Sequence, residues 1–241
     1  MPHVDFIGPD GEKWPSATEL TSLLPQAWLW SWYKSAVKRH GWQGWQLCKA
    51  QSKRGTTIGS EVHSLLEYFI QRTNIFTAEP VISGKYESQA FADALFDKVN
   101  PLVEEYVVIE PHLVSTVYKL HGTADAVVRL AGTTGLTILD WKTSAGKSET
   151  HPIQLCVYAL CWNEEHPDQK IDRGVIARVD KKSKRLTVHL DEYAPLSQYV
   201  PVVKALREIY TYGHSTKLGT KVSVPRLEPN SNRAEGEKAT N

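Results

Sequence analysis

Residues 151–166, HPIQLCVYALCWNEEH, constrain the fold of this chain more than any other stretch. Pro152 stands where a helix can begin, and apolar side chains follow on nearly every side. A helix that is apolar nearly all round has to be buried, so other elements must cover it. The flanking sequence supplies them. Upstream lie β-branched runs that read as strands, YVVIEPHLVSTVYKL, TADAVVRL and LTILDWKT, the last two joined by the turn signal AGTTG. Downstream, RGVIARVD and RLTVHL form a strand pair across KKSK, and PLSQYVPVVKALREIYTYG reads as a final helix that Pro201 offsets or kinks.

Before the strands the pattern is helical. WPSATELTSLLP offers Ser16 or Thr18 as an N-cap for a short helix closed by Pro25. QAWLWSWYKSAVKRHGW continues as a tryptophan-rich helix ending in a basic turn. In GTTIGSEVHSLLEYFIQR, residues Ile58, Val62, Leu65, Leu66 and Phe69 make one apolar stripe. ESQAFADALFDKVNPLVEEY gives another helix, interrupted near Pro101. From Gly219 onward the chain is polar and aperiodic, which predicts a disordered tail over 219–241. The 241 residues suit one domain over 1–218, with a helical part over 14–105 and a sheet core over 106–218.

The formal net charge of +1 excludes overall basicity, though not a local basic patch. Cys48, Cys156 and Cys161 form neither a CxxC pair nor an even disulfide set, which fits a reducing compartment. Cys156 and Cys161 read as small core residues. No apolar leader region opens the sequence, and no stretch approaches the length of a membrane span. The expectation is a soluble, cytoplasmic protein without a membrane partner.

LTILDWKTS, residues 136–144, starts as a core strand and then places Asp140 and Lys142 two residues apart, hence on one face. If the hairpin centres between Gly132 and Thr133, Asp125 falls opposite Asp140, with Cβ atoms about 4.5–5.5 Å apart. Two ionised carboxylates that close must share a proton or a cation. Hard oxygen ligands select Mg²⁺ or Mn²⁺ over zinc. A lysine beside such a cation can orient a water, or offset charge developing on a phosphate oxygen. The other reading is an edge strand whose Asp and Lys face water.

His63 lies just off the apolar stripe of its helix, where it either completes a metal shell or bonds a carbonyl at the core edge. Gly59, one turn earlier, would let another backbone come close. Glu67, one turn on, lies nearer solvent. Gln154 and Tyr158 share one face of the buried helix, as cleft residues or as satisfied core polars.

Four motifs in this order resemble those of the PD-(D/E)XK nuclease superfamily, in its RecB-type exonuclease branch, which includes phage exonucleases and the mitochondrial genome maintenance exonuclease. They are GSEVHSLLEYF, HGTADAVV, ILDWKTS and QLCVYAL, and WPSATELTSLL is similar to the family's N-terminal helix entry. The resemblance spans roughly residues 14 to 165. It implies an α/β fold with a restriction-endonuclease-like core: a central mixed β-sheet flanked by helices, with an N-terminal helical region. It implies His63, Asp125, Asp140 and the backbone carbonyl of Trp141 as ligands of Mg²⁺, with Mn²⁺ substituting. Lys142 would be the catalytic lysine, and Gln154, Tyr158, Glu110 and Ser144 would support the site or the DNA. Three cysteines, with none after Cys161, cannot make the four-ligand iron–sulfur set of other branches.

The expected function is a metal-dependent DNA exonuclease acting on single strands or duplex ends. Its setting would be phage or bacterial recombination and processing, beside a single-strand annealing or replication protein. The alternatives are a structure-specific or restriction-type endonuclease, and a non-cutting DNA-binding module. Trp28, Trp30, Trp32, Trp42 and Trp45, interleaved with Lys34, Lys38, Arg39 and Lys49, either stack single-stranded bases or pack helices.

Overall fold

The computed structural model describes residues 5–215, apart from residue 26, 73–79, 85, 145 and 181–185; for 27, 28, 214 and 215 it describes the backbone alone. The expected tail over 219–241, the KKSK turn and the side chain of Trp28 lie outside the described residues.

The helical part opens with α1 (Ala17–Thr21). Ser16, not Thr18, is its N-cap: the Ser16 hydroxyl accepts from Glu19 N–H while the Glu19 carboxylate accepts from Ser16 N–H. The two helices expected next adjoin at Gly41, whose φ of 56° and ψ of −140° break the helical path between them, and together they make up α2 (Ala27–Gln71). No breaker with non-helical geometry occurs between Trp42 and Gln71. α3 (Ser88–Val99) ends in a 3-10 turn over Asn100–Leu102 that contains Pro101.

Val103, Glu104 and Glu105 belong to β1 (Val103–Ile109) rather than to that helix, because Pro101 ends the helical ladder and β-branched residues follow. The long upstream strand is divided in turn. Pro111 separates β1 from β2 (His112–Ser115), which pairs with β3 (Leu120–Thr123) in a small two-stranded sheet. The main sheet adds β4 (Ala126–Leu130), β5 (Thr137–Lys142), β6 (Gly174–Asp180) and β7 (Thr187–Tyr193), in the order β1-β4-β5-β6-β7. It is mixed: β5 and β6 run parallel, and the other pairs are antiparallel. The connection between β5 and β6 is α4 (Thr150–Glu165), the buried helix of the opening argument. α5 (Val200–Ser215) has Pro201 in its first turn, so the proline starts the helix instead of kinking it.

Two apolar layers sandwich the sheet. On one face Val127, Ile138 and Ile176 pack with α1, α4, α5 and the small sheet. On the other, Ala126, Val128, Leu139, Trp141 and Ala177 pack with the stripe of α2 and with α3. Ile58, Val62, Leu65, Leu66 and Phe69 are all buried there. Helix α4 is buried from His151 to Trp162 with few exceptions, and Cys156 and Cys161 are free thiols in that core. No described helix is long and apolar enough to cross a membrane.

Candidate active site

β5 lies third in a five-stranded sheet, with β4 on one side and β6 on the other. That position excludes the edge-strand reading of Asp140 and Lys142. The β4–β5 hairpin pairs Ala126 with Leu139, Val127 with Ile138 and Val128 with Thr137. Continued by one residue, this register sets Asp125 opposite Asp140, as the turn composition predicts.

Three contacts tie the group together. Asp125 Oδ1 is 3.0 Å from His63 Nδ1, which reaches it from α2. Asp125 Oδ2 accepts the Trp141 backbone N–H at 2.6 Å. Lys142 Nζ stands 2.6 Å from Asp140 Oδ2. The approach of Lys142 is poorly directed, and that oxygen, fully enclosed, accepts no well-formed hydrogen bond among the described residues. Asp140 is 2% exposed.

Burial sets the protonation of this cluster. It pushes the Asp140 carboxyl up to about 6; Lys142 opposes the rise and Asp125 adds to it. Burial also acts to raise Asp125, but His63 and then Lys142 outweigh it and hold that carboxyl below its ordinary value. For His63 burial favours the neutral ring, yet Asp125 and Asp140 prevail and raise it. For Lys142 burial favours the neutral amine, and Asp140 with Asp125 raise it nonetheless. Two carboxylates that share a site have been driven apart, one up and one down, as like charges require.

Beside Asp125 lies a cavity of about 10 Å³, the room that one water or ion needs. His63, Glu67, Glu110 and Asp125 line it together with Ile70, Ile109 and Trp141. Glu110 reaches it from a backbone with φ of 49°, in the left-handed region that non-glycine residues seldom occupy. Burial, then Glu67 and Asp125, raise the Glu110 carboxyl. Glu67 therefore belongs to the group, although its helical angle places it nearer solvent than His63. A larger open cleft of about 490 Å³ lies at the opposite end of the hairpin, around Gly132–Leu136, away from the carboxylates.

Gln154 and Tyr158 meet as their spacing implies: Gln154 Nε2 donates to Tyr158 Oη at 2.7 Å. Tyr158 is buried, and burial followed by Asp140 and Asp125 raises its hydroxyl, so it stays protonated beside the carboxylates. The tyrosine explains a glycine. A Cβ built on Gly122 would lie 2.6 Å from Tyr158 Cε1, closer than packed atoms approach. Gly122→Ala is expected to cost about 1–3 kcal/mol by overpacking; urea denaturation checks this, and an unchanged midpoint would mean that the ring moves freely. Gly59 does not play the expected part, since a Cβ there would meet only Thr143 Oγ1 at 3.6 Å, an ordinary contact. Ser144 Oγ donates to the Gly146 carbonyl at 3.4 Å, within the loop after β5.

A second ionic group was not legible in advance. Arg178 Nε lies 2.5 Å from Asp191 Oδ2 and Lys147 Nζ lies 2.9 Å from Asp191 Oδ1. Arg178 is the β6 partner of Lys142 and Asp191 comes from β7, so only strand pairing brings them together. His151, in the first turn of α4, faces this group. Burial pushes its ring down to about 4, and Lys142 and Arg178 add to that effect while Asp191 opposes it. The Ser148 backbone N–H donates to His151 Nδ1 at 3.4 Å, consistent with a neutral ring, and a helix N-terminus disfavours a cation. A histidine with a depressed folded-state value contributes stability above its unfolded value near 6.5, lost as pH falls toward 4. Parent protein is expected to lose up to ~3 kcal/mol over that window relative to His151→Gln, measured by urea denaturation at stepped pH.

Among the described residues no three His, Cys, Asp or Glu side chains converge as a ready-made metal cage. Asp125 is instead bonded to His63 and the Trp141 N–H, and Asp140 is ion-paired with Lys142. The donor chemistry nonetheless fits a hard divalent cation. Two adjacent carboxylates carry it, one with a buried oxygen that lacks a well-formed hydrogen bond, and an imidazole stands at bonding distance from the other. The Trp141 backbone reaches this group through its N–H, which Asp125 accepts.

A family model described as the PD-(D/E)XK nuclease superfamily matches residues 32–221. No curated protein matches the sequence. Among solved structures, a candidate exonuclease from Eubacterium rectale is similar at 13% identity and TM-score 0.46, over 67% of this chain and 68% of that one. An alkaline exonuclease from Laribacter hongkongensis is similar at 12% identity and TM-score 0.32, over 84% of this chain and 93% of that one.

Proposed function

The chain belongs to the PD-(D/E)XK nuclease superfamily, and from that premise we propose that it is a Mg²⁺-dependent deoxyribonuclease of the exonuclease type. The observation that carries the reading is the buried Asp140 with the part-buried Asp125 and Lys142 beside it, at the end of a central strand. A non-cutting descendant would have no use for one enclosed carboxylate, a second half-enclosed beside it and a half-enclosed ammonium, which are costly to withdraw from water.

Asp125 and Asp140 would hold the cation, with His63 and the Trp141 carbonyl completing its shell. Bound there, Mg²⁺ supplies Lewis-acid polarisation of the phosphodiester and makes an attacking water more acidic. The residues of the chain do the rest. Lys142 Nζ keeps its proton, because Asp140 and Asp125 raise it, so it serves as a donor rather than a base. It orients the water and offsets charge on the phosphate oxygen as the transition state forms. The Tyr158 hydroxyl, held by Gln154, remains protonated and fixes the wall next to Asp140. Glu110 and Glu67, across the small cavity, place further carboxylates where a phosphate's counter-cation would sit.

The substrate is DNA, as a single strand or at duplex ends, and a role in phage or bacterial recombination and processing belongs to the same reading. Digestion of end-labelled linear single strands, linear duplex and circular DNA tests it. Mononucleotides or short products from linear DNA, with circles intact, are expected. Cleavage of circles would replace the exonuclease by an endonuclease, and no cleavage of any DNA would overturn the reading.

A further inference from the structure

Between Leu20 and Ser60 the chain carries six Lys or Arg residues and no Asp or Glu, and five of its eight tryptophans. The rest of the protein has a net charge of −5. This concentration of cations and indoles falls on α2, the helix that also carries His63.

Beyond the kink at Gly41 the helix is unbroken to Gln71. At 100° per residue, Trp42, Trp45, Lys49, Lys53, Ser60 and His63 fall within about 80° of one another. All six are exposed or half-exposed. They make one ridge, reading aromatic, aromatic, cation, cation, hydroxyl, and then the imidazole bonded to Asp125. Glu67, the next acid on that ridge, comes one turn beyond His63 and lines the small cavity of the site.

The aromatic end is built rather than scattered. The Trp42 and Trp45 rings stack at 26° with centroids 6.5 Å apart, and Tyr33 meets Trp45 at 4.7 Å across the kink. Lys49 Nζ lies 5.2 Å from the Trp45 ring centre. Leu29, Trp30, Tyr33 and Trp45 line a cleft of about 310 Å³. Trp30 and Trp42 are each 71% exposed, far more than indoles that serve only to pack helices. Neither Lys49 nor Lys53 forms an ion pair with a described carboxylate.

We propose that this ridge of α2 is a track for one DNA strand. Bases stack on Trp42 and Trp45, and phosphates run past Lys49 and Lys53 toward the carboxylates. The proposal rests on the nuclease reading and adds its substrate class, a single strand. Flat rings recognise unpaired bases, which a duplex hides in its stack, while the ammonium groups follow the backbone. Trp45 precedes His63 by five helical turns, about 27 Å, a span of several nucleotides of single strand.

The test is fluorescence anisotropy of labelled oligothymidylates of increasing length, and of a blunt duplex, with the full chain in EDTA. Binding without metal separates the track from the cutting. Affinity is expected to rise with length until the strand spans the track, at about 4–16 nucleotides, and then to level off. Trp42→Ala with Trp45→Ala is expected to weaken single-strand binding at least about tenfold, and the Phe pair to restore most of it. Lys49→Gln with Lys53→Gln is expected to flatten the salt dependence by about 1.4 in log–log slope. Unchanged single-strand affinity in the folded Ala pair would overturn the track even if the parent cuts DNA. Equal losses on single strand and duplex would overturn it too. If the parent cuts no DNA but the Ala pair loses single-strand binding, the track stands and the nuclease reading falls.

Discussion

Asp140→Asn is expected to lower single-turnover cleavage of linear DNA by at least about a thousandfold and to abolish calorimetric Mn²⁺ binding. Asp140 is 2% exposed, and one of its oxygens has Lys142 Nζ at 2.6 Å as its close polar neighbour. An amide has the same shape but presents one neutral oxygen, so the site loses the charge that a hard cation requires. Stability is expected to change little, because two effects oppose each other. The Asp140 carboxyl is raised to about 6, so keeping it ionised costs the metal-free fold stability as pH climbs from its ordinary range through 6. The amide removes that cost. It also leaves the Lys142 ammonium without its partner, which costs stability in turn. A melting temperature near the parent's, with cleavage gone, separates loss of chemistry from loss of fold. Retained Mn²⁺ binding in the variant would remove Asp140 from the metal site.

Lys142→Ala is expected to slow cleavage by about a hundred- to thousandfold, or roughly 3–4 kcal/mol of transition-state stabilisation, while Mn²⁺ and DNA binding stay close to the parent's. The distinction from Asp140 follows from charge. An ammonium cannot ligate a cation, and its removal relieves repulsion at the site, so metal affinity should not fall. What is lost is a donor held protonated next to the reacting phosphate. Single-turnover rates beside calorimetric titration read both quantities. Parent-like cutting by the alanine variant would mean that the lysine serves only to neutralise Asp140.

The elements legible in the sequence were those fixed by local chemistry. The AGTTG turn and the alternation around it set a register that the hairpin keeps, and with it the approach of Asp125 to Asp140. The buried character of α4 followed from its lack of a polar face, and the pairing of Gln154 with Tyr158 from a spacing of four. The misreadings have physical causes. Pro101 reads in the sequence as an interruption, but it ends the helix, so that Val103 enters a strand. Gly41 separates the tryptophan-rich helix from the one that carries His63, as two helices are expected, but the second begins at Trp42 rather than near Gly55. The helical angle of Glu67 makes it a weaker candidate than His63, but the end of β1 lies over it and makes a cavity that the angle cannot show. The Arg178–Asp191–Lys147 group and His151 depend on which strands are neighbours, and spacing along the chain holds no record of that. The glycine of HGTADAVV carried a signal only once Tyr158 was found against it.

The most direct test of the central claim is a single titration of the metal-free parent with Mn²⁺, in which cleavage rate and calorimetric occupancy are followed together. Cleavage is predicted to be absent in excess EDTA and to rise in step with occupancy, with Mg²⁺ supporting the same reaction and Ca²⁺ binding but cutting little. Undiminished cleavage in excess EDTA would contradict the assignment of Asp125 and Asp140 as the seat of the metal.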